Sequence, residues 1–154
     1  MVWSKELTQV CEVKVKYSKK VKPSERPIIK TAKDAYDLLL QTWDMDQIEF
    51  VEQFKVIYLN SRKRVLGIAH LSTGTTTQTD VDVRRVLTGA IKTKASCLIL
   101  AHNHPSGDSY PSRADILVTK KIAKAGRLIN IKVSDHVIIT TDSYYSFHEM
   151  GEDF

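Results

Sequence analysis

At 154 residues, with 42% apolar and 27% charged residues, the chain has the size and composition of one ordinary globular domain, which excludes the disordered, collagen-like and disulfide-framework classes. No apolar run approaches the ~20 residues of a membrane span, and MVWSKELTQV lacks the apolar stretch of a secretion signal, so a cytoplasmic setting with no membrane partner is expected. The net charge of +5 is unevenly spread: residues 1–33 hold nine Lys or Arg against three acids, whereas residues 34–154 hold fourteen against fifteen.

In chain order, the imperfect alternation from Gln9 to Tyr17 predicts a half-buried strand, and Ser18 to Pro27, with two prolines and several lysines, predicts a connector. Residues 1–30 are therefore expected to be a basic strand or arm, packed on or extending from a domain over 31–154. Thr31 with Asp34 has capping-box spacing, and Ala35, Leu38, Leu39 and Trp43 follow at helical spacing. From Glu52 the period changes to two, with Glu52, Phe54, Val56 and Tyr58 on one face, and Val65 to Leu71 reads as the hairpin partner beyond the polar turn Asn60–Arg62. Ser72 to Thr79 reads as a loop. Asp80 is a candidate cap for a helix striped by Val83, Val86, Leu87, Ala90 and Ile91.

Ala95 to Ala101 is an apolar run of strand length, consistent with a strand covered on both faces. Pro105, Gly107 and Pro111 then break regular structure. A helix is expected to open at Ser112 and to stop at Gly126. Two short β-rich runs, Ile129–Val133 and Val137–Thr141, are separated by Ser134, Asp135 and His136, and Tyr144–Phe147 reads as a last short strand or turn. The alternation of strands and helices predicts an α/β fold, a mixed central sheet flanked by helices.

The basic arm, with Lys19, Lys20 and Lys22, has two readings. It could meet nucleic-acid phosphates, or it could be a solvated edge whose lysines discourage strand-to-strand pairing. Cys11 and Cys97 are too few for a cysteine metal site, and neither is given a role.

The chemistry concentrates between Leu98 and Asp115. His102 and His104 are two residues apart at a strand end, so both imidazoles project to one side and can hold one ion. Asp115, in the first turn of the next helix, offers a carboxylate. Two histidines and an acid are a common way to give zinc three protein ligands and leave the fourth position to water. A bland alternative exists for Ser112 and Asp115, since Ser-x-x-Asp also has the spacing of a helix capping box. A hydrolytic site needs a base as well. Glu52 fits because it shares a face with Phe54 and Val56, where desolvation raises a carboxylate pKa, and Glu49 is the rival.

His102-x-His104-Pro105 followed by Ser112 and Asp115, with Glu52 upstream, resembles the JAMM motif of the MPN/JAB metalloprotease superfamily, and AHNHPSGDSYPSRAD is similar to the signature of its RadC branch. The resemblance implies a cytidine-deaminase-like α/β fold with one Zn2+. His102, His104 and Asp115 would be its ligands, Glu52 the general acid/base and Ser112 a stabiliser of the oxyanion, while Asp135 and His136 match an Asp-His pair read as support behind the ligands. Gln53, Phe54 and Lys55 depart from the small residue and glycine that often follow the glutamate in proteolytic members. Many relatives also carry a helix-hairpin-helix region that finds no match here, so DNA binding by that module is not carried over. His102-Asn103-His104 is not an HNH nuclease motif, whose residues are spread over a larger unit.

Three functions stay open on these residues. The first is a zinc-dependent hydrolase of an amide or isopeptide bond, acting on a peptide or isopeptide substrate. The second is a nucleic-acid-associated factor or phosphodiesterase, in line with the family's historical link to DNA repair. The third is an interaction domain with a vestigial metal site.

Overall fold

The computed structural model describes Tyr17, residues 20–74 and residues 81–154. The strand expected over Gln9–Tyr17, apart from Tyr17, lies outside the described residues, as do Cys11, Lys19 and Asp80. The connector carries one short 3-10 turn, Pro23–Glu25.

Five strands form one mixed sheet in the order β2-β1-β3-β4-β5. They are β1 (Gln53–Leu59), β2 (Val65–Thr73), β3 (Cys97–Asn103), β4 (Lys132–Ile139) and β5 (Tyr144–Ser146). The β3–β4 pair is parallel, joined through α3 (Arg113–Arg127), and every other pair is antiparallel. This is the mixed α/β sheet expected, consistent with the JAB/MPN fold.

The two faces are divided by strand parity. Ile57, Leu59, Ile99 and Ala101 pack with Ala35, Tyr36, Leu39 and Trp43 around α1 (Ala32–Thr42). Phe54, Val56, Tyr58, Leu98 and Leu100 pack on the other face with Val86 and Ala90 of α2 (Val83–Thr93) and Ile122 and Ala123 of α3. β3 is buried along its whole length, as a central strand covered on both faces must be.

Several boundaries differ from the expectation. Glu52 immediately precedes β1 instead of opening it, because its backbone carbonyl accepts the N–H of Gly74 while the N–H of Gln53 goes to a side chain. β2 runs on to Thr73, so the first two residues of the expected loop belong to the sheet. Asp82 is the cap of α2, its side chain accepting the N–H of Arg84. β3 starts and ends two residues later than predicted, which places His102 inside it.

The two β-rich runs are one strand, β4. Leu98 pairs with Val133 and Ile99 with Asp135, so Ser134 is an extra residue that slips the alternation by one. That slip turns Val133 and His136 to the same face, and it is why the two halves read as separate strands.

Gly126 does not stop α3, which continues to Arg127. It is instead where the chain returns close to the helix: a Cβ there would lie 2.5 Å from the carbonyl oxygen of Ile131. Helix propensity alone favours Gly126→Ala by roughly 1 kcal/mol. The clash is with backbone that Gly126 itself anchors, since its carbonyl accepts the Ile131 N–H at 2.9 Å. Gly126→Ala is therefore expected to destabilise the domain by about 1–3 kcal/mol in urea or thermal unfolding, and a raised midpoint would show that the turn yields freely.

Candidate metal centre

The end of β3 and the start of α3 meet on the α2/α3 face. Even-numbered residues of β3 point there, so His102 and His104 share that side, and the capped N-terminus of α3 brings Asp115 to them. His102 Nε2 and His104 Nε2 are 2.9 Å apart. Asp115 Oδ1 lies 3.2 Å from the first and Oδ2 3.6 Å from the second. His102 is buried at 2% exposure, while the His104 and Asp115 side chains keep 16% and 14%, so the cluster opens to solvent on one side.

The capping box and the carboxylate site are one arrangement. Ser112 Oγ accepts the Asp115 N–H at 3.2 Å, and Asp115 Oδ2 accepts the Ser112 N–H at 2.7 Å. The cap fixes the rotamer that aims Asp115 at the histidines. The cap is present, and it is compatible with Asp115 also facing the two histidines.

Hydrogen bonding sets both imidazole tautomers. The Asp108 carbonyl, 2.6 Å from His104 Nδ1, can only accept, so Nδ1 carries the proton and Nε2 presents a lone pair. For His102 the chain is longer. Thr119 Oγ1 donates to the Asp115 carbonyl at 2.5 Å and so accepts from His136 Nδ1 at 2.6 Å. His136 Nε2 is then the acceptor for His102 Nδ1 at 2.8 Å, and His102 Nε2 is also a lone pair. Burial holds His136, which is 0% exposed, neutral and well below the ordinary histidine range, with the nearby His102 acting in the same direction.

Two neutral imidazoles and a carboxylate thus converge on one point, an arrangement that repels itself unless a metal ion or a proton lies between. Tetrahedral coordination with bonds of about 2.0–2.1 Å requires ligand atoms roughly 3.3 Å apart; the two Nε2 atoms are 2.9 Å apart, each has a different Asp115 oxygen nearest to it, and one ligand atom from each of the three residues lies within 4.8 Å of the others. The donor set fits a divalent metal. Among the described residues, His102, His104 and Asp115 form the cluster able to hold one.

Without a metal, a proton shared between imidazole and carboxylate relieves the same repulsion. Burial alone would raise the Asp115 carboxyl, yet its contacts with His102, His104 and Ser112 hold it well below the usual carboxylate range. Burial lowers His104, but Asp115, the Asp108 carbonyl and the charge of Glu52 outweigh it and the net shift is upward. Glu52, 8% exposed, therefore sits within electrostatic reach of His104. Phe54 stacks on His102 and Phe147 on His136, which keeps the inner side of the cluster dry.

The other residues singled out in the sequence are placed as follows. Glu49 is on the exposed connection, bonded to Thr141. Asp135 does not join the His102–His136–Thr119 chain. It accepts from Ser146 Oγ and from the N–H groups of His136 and His148, bracing the turn after β5, and burial pushes its carboxyl up despite those bonds. Lys20 and Lys22 are exposed.

Sequence reasoning missed two residues. Thr119 is fully buried and closes a hydrogen-bonded loop from His102 back to the backbone of Asp115. Its signal was a hydroxyl in the inward stripe of α3, four residues after Asp115. Asn103 is fully buried too and bonds the segment before β1. Its signal was a polar side chain facing away from the histidines in an otherwise apolar strand.

The family model described as RadC-like JAB domain matches residues 29–152. A UPF0758 protein of Symbiobacterium thermophilum is 46% identical over 101 residues, which is 66% of this chain and 43% of that protein. A UPF0758 protein of Flavobacterium johnsoniae is 47% identical over 100 residues, 65% of this chain and 44% of that protein. The matched stretch thus spans less than half the length of these curated relatives. No helix among the described residues is long and apolar enough to cross a membrane. With a five-stranded mixed sheet, a His-His-Asp cluster at the end of its middle strand and a family match over most of its length, the chain belongs to the RadC-like JAB domain family.

Proposed function

We propose that the chain is a zinc-dependent hydrolase that cleaves an amide or isopeptide bond. The observation that carries this reading is the convergence of two imidazole lone pairs and a carboxylate with a separate buried carboxylate, Glu52, beside them. His102, His104 and Asp115 would hold the zinc ion, which when bound would supply Lewis acidity to polarise a carbonyl and to activate water near neutral pH. Glu52 accepts the proton of the attacking water and returns it to the leaving nitrogen. Ser112 uses an oxygen lone pair for the Asp115 N–H, which leaves its own O–H to donate to the developing oxyanion. His136 and Thr119 hold His102 in the tautomer that keeps Nε2 available. The test is to incubate zinc-loaded protein with panels of peptides, isopeptide-linked peptides and DNA. Cleavage of an amide-linked substrate that stops on chelation supports the reading, and cleavage of DNA alone overturns it.

A second reading, nucleic-acid association, is supported by how the fold sorts charge. Val83–Thr93 and Arg113–Arg127 carry eight Lys or Arg, all exposed, against one acid, Asp115, which is committed to the metal cluster. Among the described residues only Arg84 of these eight is ion-paired, with Asp82. Lys120, Lys124 and Arg127 follow one helical stripe from the turn beyond the metal cluster. Phosphate contacts would make binding salt-dependent. Reversing Lys120, Lys124 and Arg127 to glutamate is expected to weaken DNA binding at least tenfold at low salt and to flatten its salt dependence. Unchanged binding, followed by fluorescence anisotropy, would move the contact elsewhere, to the Lys19–Lys22 arm for instance.

A further inference from the structure

We propose that Asn103, the residue between the two histidines, is the positioning residue that sets Glu52 beside the metal cluster. The proposal rests on the hydrolase reading for its consequence, but its geometry stands independently of it.

Strand alternation sends Asn103 to the face opposite His102 and His104. What lies there is the connection between α1 and β1, which must cross the sheet end to deliver Glu52 to the metal side. The antiparallel ladder of β1 and β3 runs from Leu59 opposite Cys97 to Phe54 opposite His102. Continued, it would set Gln53 opposite Asn103 and Glu52 opposite His104. The backbone pairing stops at Phe54, and the side chain of Asn103 replaces it. Asn103 Oδ1 accepts the Gln53 N–H at 2.7 Å, and Nδ2 donates to the carbonyls of Ile48 at 2.6 Å and Val51 at 2.8 Å.

These bonds fall on both sides of Glu52, whose own carbonyl accepts the Gly74 N–H at 2.8 Å. The residue before it, the residue after it and its own backbone are all fastened. The side chain needed at position 103 must offer two donors and one acceptor at short reach, and asparagine has that inventory. Aspartate could accept from Gln53 but would face two carbonyls with a charge. Alanine would leave three backbone groups without this partner, the Ile48 carbonyl buried and the other two part-buried.

The metal ligands do not depend on this clamp. Asn103 pairs through its backbone with Ile139 of β4, and the His104 N–H donates to the Ile139 carbonyl at 3.1 Å. Asp115 is held by its cap. Loss of the Asn103 side chain should therefore free the Glu52 segment while leaving the cluster that binds metal.

The experiment compares wild type, Asn103→Ala, Asn103→Asp, Glu52→Gln and the double variant Asn103→Ala/Glu52→Gln. In wild type, hydrogen exchange should show the Gln53 amide protected, and that measurement needs no substitution. In Asn103→Ala the protection of Gln53 should be lost, while zinc is bound at unchanged stoichiometry and with affinity within about threefold of wild type. On a cleaved peptide or isopeptide, kcat should fall about 100-fold with KM little changed, in keeping with a roughly 1 Å misplacement of a reacting group. Asn103→Asp should keep some Gln53 protection and lose less than alanine. The double variant should be no slower than Glu52→Gln alone, because Asn103 acts through Glu52. An unprotected Gln53 amide in wild type, zinc affinity falling in step with activity, or multiplicative losses in the double variant would overturn the proposal. A wild type that cleaves nothing yet protects Gln53 and binds zinc would sink the hydrolase reading and leave the positioning of Glu52 standing.

Discussion

Replacing His102 and His104 together by alanine is expected to abolish stoichiometric binding of zinc, read by elemental analysis of the purified protein. The two Nε2 atoms are half a tetrahedral ligand set and are held as lone pairs by Asp108 on one side and by His136 and Thr119 on the other. With both gone, Asp115 alone at a helix N-terminus is a weak monodentate site. Because metal binds the folded form, free zinc a thousandfold above its dissociation constant should stabilise wild type by about 4 kcal/mol, roughly 10 °C in midpoint for a domain of this size. The double alanine variant should show no such rise. Its apo form is expected to fold with reduced stability, since the apolar cores on both faces of the sheet exclude the two histidines although His102 lies within β3 and bonds buried His136. An unchanged metal content would remove the cluster from the assignment, and a thermal shift that persisted without bound metal would point to zinc acting elsewhere.

Glu52→Gln should separate binding from chemistry. The amide is close to isosteric with the carboxylate and Glu52 is outside the ligand cluster, so one zinc per chain should still bind. It cannot accept the proton of the attacking water. The loss expected in kcat is about 10²- to 10⁴-fold, the usual worth of a positioned general base, with KM changed much less. A variant that kept full activity would take Glu52 out of the mechanism and return attention to Glu49, which the structure places on the exposed connection. Equal loss of zinc and activity would instead make Glu52 a part of the binding site.

Charge shows how segment counts and surfaces can part company. Residues 34–154 are close to neutral in sum, and the excess of bases along the chain falls in the N-terminal segment. In the folded chain the acids of α1 and its following connection lie on one face and the bases of α2 and α3 on the other. A sum along the chain cannot see this, because the sheet separates helices that are neighbours in sequence.

Local patterns carried much of the rest. Period-two alternation at 53–59 and helical spacing in α1 and α3 sufficed for those elements, because each buries one face against a single partner. β4 reads as two runs because the extra residue at Ser134 breaks the alternation that identifies a strand, and only pairing with β3 shows the two halves to be continuous. Gly126 reads as a helix stop by chemistry, whereas its actual constraint is the return of Ile131, five residues on, against the helix.

The His-His-Asp cluster is readable because its geometry is local: two histidines two residues apart at a strand end and an acid in the first turn of the next helix. Residues 98–115 were enough for that. The tautomers of those histidines and the place of Glu52 are not local. They depend on Thr119 and His136, from a helix and a strand beyond the loop, and on Asn103 reaching through the sheet end to residues fifty positions earlier in the chain. Spacing along a chain records which side chains share an element. Which elements lie side by side is set by the packing of their apolar faces, and here that packing sets Glu52 within electrostatic reach of His104.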